Sequence, residues 1–191
     1  KRKARLQRGQ ERLLRAVPIA ETLLAEMGRR QRRLHTAVDR LTILLEECGL
    51  PYKLVPCSIG QGDQFKDSFL AISPNNRMPA IVDHAPADGG EAISVFESGA
   101  ILLYLAEKIG QFIPEDIRDR VEVLQWLFWQ MGAAPYLGGG FGHFYAYAPE
   151  KWEYPINRYT MEVKRQLDVL DRQLANNQFI GGDEYSIADM A

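Results

Sequence analysis

Cysteine is scarce in this chain, and long apolar runs are missing altogether. The two cysteines, Cys48 and Cys57, stand nine apart and form no CxxC. That spacing argues against a disulfide framework or a thiolate metal site, and for reduced thiols of a cytoplasmic protein. No uninterrupted apolar stretch nears the roughly 18 residues that span a bilayer, so no membrane partner is expected. No secretory leader is expected on similar grounds: its nearest candidate, Ala16 to Met27, is broken by Pro18, Glu21 and Glu26. Internal repeats and low-complexity tracts are absent too. Acidic residues are missing from one end in particular. Residues 1–40 hold only 4 of the 25 Asp+Glu but 12 of the 23 Lys+Arg, a net of +8 that the overall charge of −2 conceals. A basic arm of this kind can bind nucleic acid, but its first 33 residues carry no aromatic side chain to stack on a base, which argues against that partner.

What remains is an ordinary globular composition, 46% apolar and 25% charged over 191 residues. Residues 10–27 read as a broken helix ended by Gly28 and an Arg-rich run. Leu41 to Cys48 has helical apolar spacing, with Gly49 at the C-terminal stop. Tyr52–Pro56, Ala80–Asp83 and Ala92–Phe96 read as short strands, the last two separated by a turn at Pro86 to Gly90. A helical turn is expected at Phe65 to Leu70 and a helix at Glu97 to Lys108, stopped by Gly110. After Pro114 the strand signals end. Asp119 to Met131 predicts an apolar helix, Phe141 to Tyr147 an aromatic loop behind Gly138-Gly139-Gly140, and Tyr154 to Asn176 a long amphipathic helix. The layout is a small α/β unit, a hinge at Gln111 to Glu115, and an all-helical unit.

Two stretches carry chemistry. In Ser73-Pro74-Asn75-Asn76-Arg77-Met78-Pro79-Ala80-Ile81-Val82-Asp83 a proline directly precedes an apolar strand, as expected of a residue that cannot donate to the ladder. By itself this is an ordinary turn. In a thioredoxin-type fold, a cis-proline here exposes the preceding backbone so that a bound peptide pairs with it like an added strand. Glutathione is such a peptide. In Val95-Phe96-Glu97-Ser98-Gly99 a strand ends and Glu-Ser opens a helix. Ser98 is a candidate N-cap beside amides that suit a carboxylate, and Glu97 can accept from an ammonium. An isolated Glu-Ser is also a plain helix cap.

Taken together, with the hairpin between them, these stretches resemble the glutathione transferase family, in its bacterial nu-class, disulfide-bond oxidoreductase-like branch. Leu44 to Tyr52, Ile72 to Asp83, Pro86 to Leu105, Leu124 to Gln130 and Gly182 to Asp189 carry the resemblance, which covers about residues 40–191. It implies a thioredoxin-like α/β N-terminal domain at 34–110, an all-α C-terminal domain at 115–191, and a homodimer. Its co-substrate would be glutathione, and its partner a small electrophile or a disulfide. By the same resemblance, the Met78 backbone pairs with the cysteinyl part of glutathione. Glu97 and Ser98 hold the γ-glutamyl end, and Gln64 lies near the glycyl end. Arg158 approaches from the helical domain, although a solvated helix face explains it as well. Ser186-Ile187-Ala188-Asp189 is a structural capping box.

The match breaks at both ends. The family's first strand and its Thr-Pro-Asn loop, which hold the glutathione sulfur, are absent where Leu34-His35-Thr36 stands. Thr36 and His35 are substitutes by position only, so the catalytic group is unknown. The central helix after the capping box is also expected to be missing, leaving the helical domain incomplete. Residues 1–33 then read as foreign to the fold, through a frame change or rearrangement. An appended basic segment is a second reading, and a transit peptide, opposed by the lack of serine, a third. The function expected is glutathione conjugation or disulfide reduction. The alternative is an inactive, non-enzymatic fragment with weak or no glutathione binding.

Overall fold

The computed structural model describes residues 20–24 and 36–191. They divide into two compact units with the boundary between Ile113 and Pro114.

The first unit is built on a four-stranded sheet. Strands β1 (Ala20–Leu24), β2 (Tyr52–Pro56), β3 (Ala80–Asp83) and β4 (Ile93–Phe96) lie in the order β2-β1-β3-β4. β1 runs parallel to β2 and antiparallel to β3, which in turn pairs antiparallel with β4. The parallel pair is linked by helix α1 (Thr36–Glu47), and a second long helix, α3 (Ser98–Ile109), follows β4. Between β2 and β3 come two 3₁₀ turns, Ile59–Gln61 and Asp63–Phe65, and the short helix α2 (Asp67–Leu70). This is a thioredoxin-like arrangement. Leu41, Leu44 and Leu45 of α1 are completely or almost completely buried, as are Ile81 of β3 and Ile101, Leu102 and Leu105 of α3. These are the apolar positions that the helical and strand periodicities select.

The second unit is helical: α4 (Ile117–Pro135), a π-helix at Tyr136–Tyr147, α5 (Glu153–Leu174) and α6 (Ile187–Met190). Asp116 caps α4, its carboxylate accepting from the Arg118 and Asp119 amides. Ser186 and Asp189 form the expected capping box on α6. Val123, Leu127 and Ile187 are buried.

Three expectations change. Residues 20–24 are a strand rather than part of a helix, because both edges of this segment find ladder partners, Ala20 with Tyr52 and with Asp83 among them. Pairing on two sides overrides the weak helical preference of a five-residue stretch. The strand position sought at Leu34 to Thr36 is therefore displaced: Thr36 opens α1, and residues 25–35, with His35 among them, lie outside the described residues. The remainder of the segment read as foreign, residues 1–19, lies there too. The aromatic loop is a helix of wide turns. Gly140 is buried there against the Tyr159 ring, where any Cβ would collide, and Phe144 stacks on Tyr159 with ring centroids 5.6 Å apart.

Candidate functional site

Ser73 is fully buried, and its hydroxyl donates to the Arg77 carbonyl at 2.8 Å. The Asn76 amide donates to the Ser73 carbonyl at 2.9 Å, and Asn76 itself takes a φ of 47°. The left-handed region is one that asparagine tolerates better than most residues. This clamped turn delivers the chain into a cis Met78–Pro79 peptide. Pro79 is buried and Met78 half-buried, and β3 begins at the next residue.

The register of the sheet sets what lies alongside. Ala80 pairs with Phe96, so the start of β3 is level with the end of β4. The residue after Phe96 is Glu97, and it turns the chain sharply into α3 with φ 69° and ψ 121°. A non-glycine residue held there costs on the order of 1–3 kcal/mol, and such strain concentrates at functional sites. Glu97, not Ser98, is the N-cap residue, and its side chain bonds to no amide of the helix. The carboxylate instead points out to solvent and accepts from the Asn75 side-chain amide at 3.2 Å. Ser98 becomes the first helical residue and is buried, 7% exposed. The Ile101 amide reaches the Glu97 carbonyl at 3.0 Å and closes the first turn. The amides ahead of it have no carbonyl within their own helix, the usual seat of a bound carboxylate. The strand pair thus brings Met78, Glu97 and Ser98 together at one end of β3 and β4.

Gln64 sits in the 3₁₀ turn Asp63–Phe65. Asp63 secures this turn: its carboxylate accepts from the Ser58 amide at 2.8 Å and pairs with Lys66 at 2.6 Å. The Lys66 bond foremost, and the Ser58 amide next, hold the Asp63 carboxyl below its ordinary range. The Gln64 carbonyl oxygen, Oε1, is buried with no hydrogen-bond partner. A buried acceptor without a partner costs about 1–3 kcal/mol, and a ligand N–H would remove that cost.

Arg158 lies on α5 in the second unit. It is about half exposed and pairs with Glu162 at 3.7 Å. Arg165 binds Glu162 more closely, at 2.6 Å, and is the main reason that the Glu162 carboxyl falls to about 2. Arg158 is thus one of two cations on a single carboxylate, which is how a solvated face looks.

Both cysteines are buried free thiols. Burial, and then the charge of Glu47, push the Cys48 thiol up to about 12, and burial raises Cys57 as well. Neither is a ready thiolate nucleophile. The residue that sequence reasoning missed is Asn75. In Ser-Pro-Asn-Asn it carries only a turn signal, and nothing in the linear order points across 22 positions to Glu97.

A family model for the N-terminal domain of glutathione S-transferases matches residues 37–108. The disulfide-bond oxidoreductase YghU of Escherichia coli is 56% identical over 159 residues, 80% of this chain and 54% of that protein. The disulfide-bond oxidoreductase YfcG of Escherichia coli is 52% identical over 152 residues, 80% of this chain and 71% of that protein. Among solved structures, glutathione transferase YghU from Streptococcus pneumoniae, complexed with glutathione, matches with a TM-score of 0.80 and 49% identity. The match covers 92% of this chain and 65% of that one. The chain belongs to the glutathione transferase family, in its disulfide-bond oxidoreductase-like branch. It spans about half the length of Escherichia coli YghU.

Proposed function

We propose that this chain binds glutathione along the edge formed by Met78, Glu97 and Ser98 and presents its thiol to a disulfide or a small electrophile. The observation that carries this reading is the sheet register, which sets the Met78 backbone, just ahead of β3, level with the strained Glu97 elbow. A short peptide can pair with the Met78 backbone while its amino-acid end meets a carboxylate and a helix N-terminus. Glu97 takes the α-ammonium of the γ-glutamyl residue, and the first turn of α3 at Ser98 takes the α-carboxylate. Gln64 accepts a donor from the glycyl half. The domains follow the same reading, with glutathione bound by residues 34–110 together with β1, and residues 115–191 as a helical domain. A homodimer is the assembly expected, which sedimentation velocity tests.

The chemistry uses glutathione's own sulfur, since both protein thiols are buried and held protonated. The glutathione thiolate attacks one sulfur of the disulfide, forms a mixed disulfide and expels the other half as a thiolate that takes up a proton. A second glutathione attacks the glutathione sulfur of the mixed disulfide. The second half leaves as a thiol, and one glutathione disulfide carries away the two electrons. With an electrophile, the same thiolate forms a thioether, either displacing a leaving group that departs with its electron pair or adding to a polarised double bond whose carbanion then takes up a proton.

Calorimetric titration with glutathione tests the binding claim. Micromolar to low-millimolar affinity in the intact chain, weakened at least about tenfold in Glu97→Ala, is expected, and no heat of binding in the wild-type chain overturns it. Activity is a separate matter, because no Thr-Pro-Asn precedes α1 in this sequence. One missing donor to a developing anion commonly lowers a rate by about 10²–10³. Glutathione-dependent reduction of hydroxyethyl disulfide by this chain should therefore be slight. Full activity would show that a group in residues 25–36 supports the sulfur.

A further inference from the structure

Glu97 needs a second constraint if it is to recognise an ammonium. Its side chain is exposed, it makes no bond to its own helix, and it projects from a residue whose φ is 69°. A free carboxylate in that setting rotates among its rotamers and spends little time where a ligand needs it. The Asn75 amide, 3.2 Å from Oε1, supplies the missing constraint.

We propose that Asn75 is a positioning residue that orients the Glu97 carboxylate for an α-ammonium group and locks the cis-proline turn to the α3 elbow. The inference rests on the glutathione reading above and deepens it. Three features of the geometry support it. Asn75 is neutral, so it donates a hydrogen bond without cancelling the negative charge that attracts the ammonium, as a lysine or arginine there would. It engages one carboxylate oxygen and leaves the other available. It also belongs to the turn that Ser73 clamps through Arg77, so the turn presenting the Met78 backbone is the same one that steadies Glu97. One short loop therefore governs both ends of the ligand, the peptide backbone at Met78 and the amino group at Glu97.

The test uses the full 191-residue chain. Asn75→Ala should weaken glutathione about fivefold, the usual worth of a hydrogen bond at a partly solvated site, while the melting temperature stays near that of the wild type. Two further measurements separate positioning from a bland effect on the loop. In a Glu97→Ala background Asn75→Ala should cost nothing more. With N-acetylglutathione, which has no ammonium, Asn75→Ala should also cost nothing. A loss below twofold in the wild-type background, or an undiminished loss in either of the other two, overturns the proposal. A reading independent of any ligand comes from the ¹⁵N side-chain signals of Asn75 in the free protein. At a single neutral pH they should move in Glu97→Ala, where the oxygen that accepts from the Asn75 amide is gone. Signals that stay where they are in Glu97→Ala also overturn it. If the wild-type chain binds no glutathione but that displacement is present, the proposed function is what falls.

Discussion

Two polar clusters occupy opposite ends of the same three elements, β3, β4 and α3, and they are built to opposite rules. At one end, where Asp83 pairs with Ile93, the Asp83 carboxylate is almost fully buried, 1% exposed. It accepts from the Tyr104 hydroxyl at 2.7 Å, from the Ala85 amide at 3.0 Å and from the Lys108 ammonium, which also reaches the Ala85 carbonyl at 2.7 Å. Burial pushes the Asp83 carboxyl up, the bonds from Lys108, Tyr104 and Ala85 outweigh that, and the group stays below the ordinary carboxylate range. At the other end, where Ala80 pairs with Phe96, the Glu97 carboxylate is exposed, accepts a single described side-chain bond from Asn75, and stands on a strained backbone. The buried charge has its bonding capacity filled by the protein and leaves nothing for a ligand. The exposed one keeps capacity in reserve, and the backbone carries strain to hold it there. Charge and residue type do not separate the two clusters, since each centres on one carboxylate. Burial and saturation do.

The sharpest way to break this comparison is to remove the buried charge. Asp83→Asn leaves the partly exposed Lys108 ammonium without its counter-charge and should cost about 1.5–3 kcal/mol of stability, the worth of a hydrogen bond to a charged group, read as a lowered urea midpoint. Whatever protein stays folded should bind glutathione as before. Affinity falling in step with stability would mean that the clusters are one system. Acid probes the same end. Because the folded-state carboxyl lies below its unfolded value near 3.9, its stabilisation is complete above that pH and is lost as pH falls through the folded value. Wild type should therefore lose stability below about pH 4, and Asp83→Asn should show less of that acid loss.

At the other end the order of effects reverses. Glu97→Ala should weaken glutathione at least about tenfold, the lower range for a hydrogen bond to a charged group, while changing the unfolding free energy by less than about 1 kcal/mol, since Ala meets the same positive φ. Glu97→Gly sharpens the point. Without a Cβ the elbow relaxes, so stability should hold or rise by up to about 1 kcal/mol while binding weakens as in the alanine variant. A Glu97→Gly chain clearly less stable than wild type would show that the carboxylate supports the fold. The smallest effect belongs to Gln64. Gln64→Met removes a buried acceptor that has no partner, so the free protein should melt at the same temperature or slightly higher, while glutathione binds more weakly. Unchanged affinity would take Gln64 out of the site.

Much of this could be read along the chain, and where it could, the cause was local. Tyr52–Pro56 and Ala80–Asp83 are strands with the bounds that their β-branched and apolar residues between turn formers predict. Ser186 and Asp189 cap a helix because the two bonds of a capping box lie within four residues. Met78, Glu97 and Ser98 stand out as candidates because order and spacing carry a family pattern. Three things depended on partners distant in sequence. Ala20–Leu24 has no strand signature of its own and becomes one only because β2 and β3 offer it two edges. The turn at Gly138 to Gly140 continues as helix because a buried glycine lets Tyr159 pack against it. The conformation of Glu97 and its bond to Asn75 exist only once β3 and β4 pair in register, for backbone strain and a contact across 22 positions leave no periodicity in a sequence. Local hydrogen bonds and side-chain periods were written in the order of the residues, and which polar groups meet was decided by the sheet that brings them together.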